Sequence, residues 1–130
     1  MTKQDLIKLR DKVASGKAER FDPLFEIALY PLKNDMKIVY LANDANLAQD
    51  RTEGSLDAAV AFLGAVLPTF AINRISTWPN ANARAEIWGT HVDNCERWHH
   101  HSDGRFKAEA DTPARALLLA TLDALIARAE

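Results

Sequence analysis

The chain has 130 residues, the length of one ordinary domain, and its 48% hydrophobic and 26% charged content suits a buried core and argues against disorder. Sixteen Lys and Arg against eighteen Asp and Glu leave a formal net charge of −2, which disfavours the phosphate backbone of DNA or RNA as a partner. The single cysteine, Cys95, rules out an intrachain disulfide and fits a reducing cytoplasm, and no apolar run approaches the ~20 residues that span a bilayer. A cytoplasmic protein with no membrane partner is expected, organised as one domain over residues 1–130, with residues 1–31 as an N-terminal helical segment packed on it.

Thr2 to Ala14 reads as a helix, with Thr2 as cap, Asp5 in the first turn, and Leu6, Leu9 and Val13 on one face. Asp22-Pro23 offers a second start, for a short apolar helix through Leu24, Phe25, Ile27, Ala28 and Leu29 that Pro31 ends. Lys37 to Leu41 has the composition of a short strand, and Asn43 to Gly54 that of a polar loop. Ser55 then caps a helix carrying Leu56, Ala59, Val60, Leu63 and Leu67. After Pro68 the period changes to two: Phe70, Ile72 and Arg74 alternate with Ala71, Asn73 and Ile75. Trp78 to Asn82 reads as a turn. In the next strand, Ala83 to Val92, Ala83, Ala85, Ile87 and Gly89 share one face and Arg84, Glu86, Trp88 and Thr90 the other.

Asp93 to Gly104 is polar and reads as a loop before a short strand, Arg105 to Ala108. Asp111-Thr112-Pro113 opens the last helix, Ala114 to Ala129, with Leu118, Leu119, Leu122, Leu125 and Ile126 as its buried face and the sheet residues Ile72 and Ile87 beneath it. The order α-α-(β)-α-β-β-β-α predicts an α+β fold, a small antiparallel sheet of three to four strands layered with helices.

The segments Phe21 to Ala28, Ser55-Leu56-Asp57-Ala58-Ala59, Ala85-Glu86-Ile87-Trp88 and Ala110 to Leu118 follow one another in the order seen in the phage ABA-sandwich domain family of small phage proteins, which this chain resembles. The resemblance covers about 110 residues and rests on cap chemistry and apolar spacing. It implies a non-enzymatic protein, similar to the Thoeris anti-defence sponges, that sequesters a nucleotide-derived immune signal through aromatic stacking and arginine–phosphate contacts. The chain departs from the family's pattern in the stretch around Asn43 to Arg51 and in its histidine run.

The residues themselves supply matching chemistry. Trp78 and Trp88 offer stacking surfaces, with core packing as the alternative for Trp88. Arg74, Arg84 and Arg105 can form paired hydrogen bonds to phosphate, or else salt bridges with Glu86 and Glu109. Thr112 and Arg115 sit at a helix N-terminus, where free N–H groups attract anions, unless ordinary capping uses them. These seven residues are the expected ligand site, without a cofactor and in a homo-oligomer. His91, Cys95, His99, His100 and His101 have donor types that suit zinc, but their spacing reads as a solvated loop with no metal. Two other readings stand beside the sponge: a protein–protein interaction module anchored by exposed tryptophans, and a small hydrolase using His91, Cys95 and His99.

Overall fold

The computed structural model describes residues 3–15, 48, 55–79, 81–92 and 98–128, with backbone alone for residues 91, 92 and 98–103. The expected short helix after Asp22 and the expected strand at Lys37 to Leu41 lie outside the described residues. Six longer elements follow in order: α1 (Lys3–Ser15), α2 (Leu56–Val66), β1 (Phe70–Ser76), β2 (Ala83–Val92), β3 (Trp98–Ala110) and α3 (Pro113–Arg128). The strands form an antiparallel sheet in the order β1-β2-β3, so the fold is a mixed α+β one with three strands among the described residues.

The helices begin where their sequences supply a cap. The Ser55 hydroxyl accepts the Ala58 N–H at 3.1 Å to open α2, and the Thr112 hydroxyl accepts the Arg115 N–H at 3.1 Å to open α3. Pro113 occupies the first turn, where its missing N–H costs nothing. Leu67, the last residue before Pro68, donates its N–H to the Leu63 carbonyl and closes α2.

Helix α3 lies against β2 and β3 on one side, and α1 and α2 lie against α3. That central position explains its burial. Every residue from Ala114 to Leu122 is buried, well beyond the single face read from leucine spacing, because α3 meets sheet and helices together. Thr121 is fully buried in the same helix, and its hydroxyl donates to the Leu117 carbonyl at 2.8 Å, so no polar group is stranded there. The core joins Leu6, Leu9 and Val13 of α1, Phe62 and Leu63 of α2, Ala83, Ala85 and Ile87 of β2, and Leu117, Leu118 and Leu122 of α3.

Two irregularities of register correct the strand reading. On β1 the pairing moves from Ile72↔Ile87 to Arg74↔Glu86, so Asn73 is an extra residue opposite a single step of β2. The bulge reverses the phase of everything after it. Arg74 leaves the side expected of it, shared with Phe70 and Ile72, and joins the side of Glu86, while Ile75 comes to pack on the core. Ile72 stays opposite the fully buried Ile87 but is 36% exposed on the outer strand, so the burial expected of it is not met, and Ile75 packs partly buried against the core instead.

On β3 the pairing moves from Trp88↔Arg105 to Thr90↔His100, so β3 spends five steps where β2 spends two. The polar run expected as a loop is in part strand. Residues 98–104 belong to β3, drawn into extended form by a ladder that pairs His91 with His99 and Val92 with Trp98.

Candidate functional site

The face of the sheet opposite α3 is polar. Its residues follow from alternation: Arg84, Glu86 and Trp88 on β2, Glu109, Lys107 and Arg105 directly across from them on β3, and Ser76, Arg74 and Ala71 across on β1. Opposite charges face each other across the ladder. Arg84 pairs with Glu109 at 2.7 Å, and Lys107 stands 3.9 Å from Glu86.

Glu86 is the electrostatic centre of this face. Its carboxylate accepts the Trp88 indole N–H at 2.6 Å. That bond lowers its pKa below the ordinary value; partial desolvation opposes the shift, and the charges of Lys107, Arg105 and Arg74 reinforce it. The Arg105 guanidinium lies 4.7 Å from the Trp88 ring centroid, a cation–π distance. Trp88 is therefore held on an edge by Glu86 and over a face by Arg105, as a half-buried part of the polar face rather than of the core.

A cavity of about 430 Å³ opens beside this cluster, within the size range of small-ligand sites. Arg74, Ser76 and Trp78 line it from β1 and its end, Arg84 and Glu86 from β2, and Lys107 and Glu109 from β3. Arg10 reaches it from α1, where its Nε also bonds the Asp123 carboxylate of α3 at 2.9 Å. A second hollow of about 320 Å³ continues around Trp78, Asn82 and Arg84. Trp78 is 61% exposed, so its ring is accessible beside both hollows.

The structure thus brings Arg74, Trp78 and Arg84 together at one cavity and sets Trp88 and Arg105 next to it as a mutually engaged pair. It does not bring Thr112 and Arg115 there. Arg115 is only 3% exposed, its guanidinium lies 3.1 Å from the Asp111 carboxylate, and the Thr112 hydroxyl is taken by the helix cap. The helix N-terminus is closed by its own side chains, and both residues leave the candidate site.

Sequence reading missed Arg10, Lys107, Glu86 and Glu109 as site residues. For the three on strands, the signal was available in the alternation of β2 and β3. Arg10 carried no such signal, because only the docking of α1 on α3 places it. Cys95 lies outside the described residues. Among the described residues no three His, Cys, Asp or Glu side chains converge as a metal-ligand group, and no helix is long and apolar enough to cross a membrane. Compared with models of protein families, with curated proteins and with solved structures, the chain finds no match, so the reading of this site rests on its own residues.

Proposed function

We propose that the protein is a non-enzymatic binder that sequesters a small nucleotide-derived signal, of the cyclic nucleotide or cyclic ADP-ribose kind, in the cytoplasm of a phage-infected cell. The observation that carries this reading is the meeting of Arg74, Arg84 and the exposed Trp78 at one cavity on the polar sheet face. Phosphate oxygens suit the two guanidinium groups, and Ser76, the register partner of Arg84, adds a hydroxyl to the same lining. A base stacked on Trp78 contributes about 1–3 kcal/mol. Arg74 is the arginine best placed to receive a phosphate: it is exposed, and among the described residues it forms no ion pair. Arg84 must loosen its exposed pair with Glu109, a pair worth at most about 1 kcal/mol.

The order of cap and apolar segments that resembles small phage proteins implies the same class of function. In this reading the protein is a homo-oligomer, most simply a dimer, in which a second copy deepens the open cavity.

Incubation of the protein with metabolites of infected cells, followed by heat denaturation and mass spectrometry of what is released, tests the proposal. Intact recovery of a nucleotide-derived molecule is expected. Recovery of a converted product would mean catalysis. Retention of nothing would favour the second reading, in which the 61% exposed Trp78 anchors a protein partner.

A further inference from the structure

Among the described residues four cations line the larger cavity, Arg10, Arg74, Arg84 and Lys107, and three of them already have a carboxylate. Arg10 is bonded to Asp123 at 2.9 Å and stands 3.9 Å from Asp11. Arg84 pairs with Glu109 at 2.7 Å, and Lys107 lies 3.9 Å from Glu86. Only Arg74 forms no ion pair among the described residues, and the ladder sets it across from Glu86. The wall therefore presents one spare positive charge between two carboxylates. Glu86 is held in place by the Trp88 indole N–H at 2.6 Å, and Glu109 by Arg84.

We propose that Glu86 and Glu109 make this cavity selective for phosphodiesters, so that it takes a nucleotide whose phosphate carries one negative charge and rejects one that ends in a phosphomonoester. This selectivity presupposes the nucleotide reading of the cavity. A diester phosphate is balanced by Arg74 alone. A monoester carries a charge of about −1.5 to −2 at neutral pH, and the excess finds no spare cation and two carboxylates nearby. Like charges brought together in this way disfavour the wrong partner more than they favour the right one.

The adjoining hollow of about 320 Å³ fits the rest of such a ligand. It shares Trp78, Arg84 and Glu109 with the larger cavity and adds Ala81 and Asn82. Arg84 and Glu109 neutralise each other there, so this part of the wall suits an uncharged nucleoside, with its base on Trp78 and its polar edge met by the Asn82 amide. Cyclic nucleotides have diester phosphates alone, whereas the free nucleotides that carry energy in a cell end in a monoester. A sequestering protein with this wall stays open for its signal in their presence.

The test is calorimetric titration with adenosine 5′-phosphate and with its O-methyl ester, two probes that share base and sugar and differ in the charge of the phosphate. The methyl ester is expected to bind at least about tenfold tighter. Glu86→Gln and Glu109→Gln are each expected to narrow that ratio at least about threefold by strengthening the monoester. Asp57→Asn, the same change of charge on α2 and outside the cavity lining, is expected to leave it unchanged. The ratio compares two ligands on one sample, so a variant that folds poorly lowers both affinities and does not move it. Monoester binding as tight as that of the methyl ester would overturn the proposal. So would a ratio that neither glutamine variant moves, or one that Asp57→Asn moves as far. Binding of neither probe at millimolar concentration would overturn it as well. The nucleotide reading itself would fall only if cyclic nucleotides titrated into the same sample also failed to bind, which tells the two failures apart.

Discussion

Along β2, Ala83, Ala85 and Ile87 are buried against α3, while Arg84, Glu86 and Trp88, the residues between them, carry ion pairs, an indole–carboxylate hydrogen bond and a cation–π contact. The two sides belong to one stretch of backbone and do different physical work. The helix side removes apolar surface from water and is the main source of stability. The polar side satisfies its groups with one another at the surface, where each pair contributes little, and it has the cations, the aromatic ring and the cavity that recognition of an anion needs. Substitutions on the first side are therefore expected to change stability, and substitutions on the second to change binding.

The largest effect separates the two sides most clearly. Leu122→Ala empties a fully buried position on α3 and is expected to lower stability by about 2–5 kcal/mol, read as a shift in a urea or guanidinium midpoint. A parent-like midpoint would remove α3 from the centre of the core. Ser55→Ala, which strips the cap from α2, is expected to cost about 1 kcal/mol in the same measurement, and Ser55→Gly clearly less.

On the polar side, Arg84→Ala is expected to change stability by less than about 1 kcal/mol, since its pair with Glu109 is exposed at both ends. A double-mutant cycle over Arg84 and Glu109 giving several kcal/mol of coupling would show this side to be structural. The smallest effect is a matter of pH. The folded pKa of Glu86 lies below its ordinary value, so its ionised form adds stability above the ordinary carboxylate range, and that contribution is lost as the pH falls through the lowered folded value. Glu86→Gln is accordingly expected to melt below the parent near neutral pH, with the gap closing in acid. A gap that widens in acid would mean that the Trp88 bond and the neighbouring cations do not favour the charged form.

Much of the helix side was legible in the sequence. Ser55 and Thr112-Pro113 announce their helices by local chemistry, and the spacing of Leu6, Leu9 and Val13 marks the inner face of α1, all three buried as read. Alternation along β2 sorted its residues correctly between the two sides. The rest depended on partners that the sequence does not name. An extra residue at Asn73 leaves no mark in a period-two pattern, yet it decides that Arg74 joins Glu86 rather than Ile72. Ser102, Asp103 and Gly104 are turn formers by composition, yet they lie within β3, between the ladder pairs at His100 and Arg105. Arg115 looked available beside a helix start, but burial and Asp111 claim it. Of the expected site, Arg74, Trp78 and Arg84 gather as one group because they flank the β1–β2 turn and the ladder sets the two strands side by side.

The central claim is that the polar side of the sheet binds a phosphate-bearing aromatic ligand without being needed for the fold. Its most direct test is calorimetric titration of the parent, Arg74→Ala and Trp78→Ala with a panel of cyclic dinucleotides, cyclic trinucleotides and cyclic ADP-ribose isomers, with a melting curve taken on each sample. The account expects the parent to bind at least one member, and each substitution to weaken that binding at least about tenfold, or about 1.4 kcal/mol, at an unchanged melting temperature. Binding to none of the panel, or affinity that survives both substitutions, would contradict it.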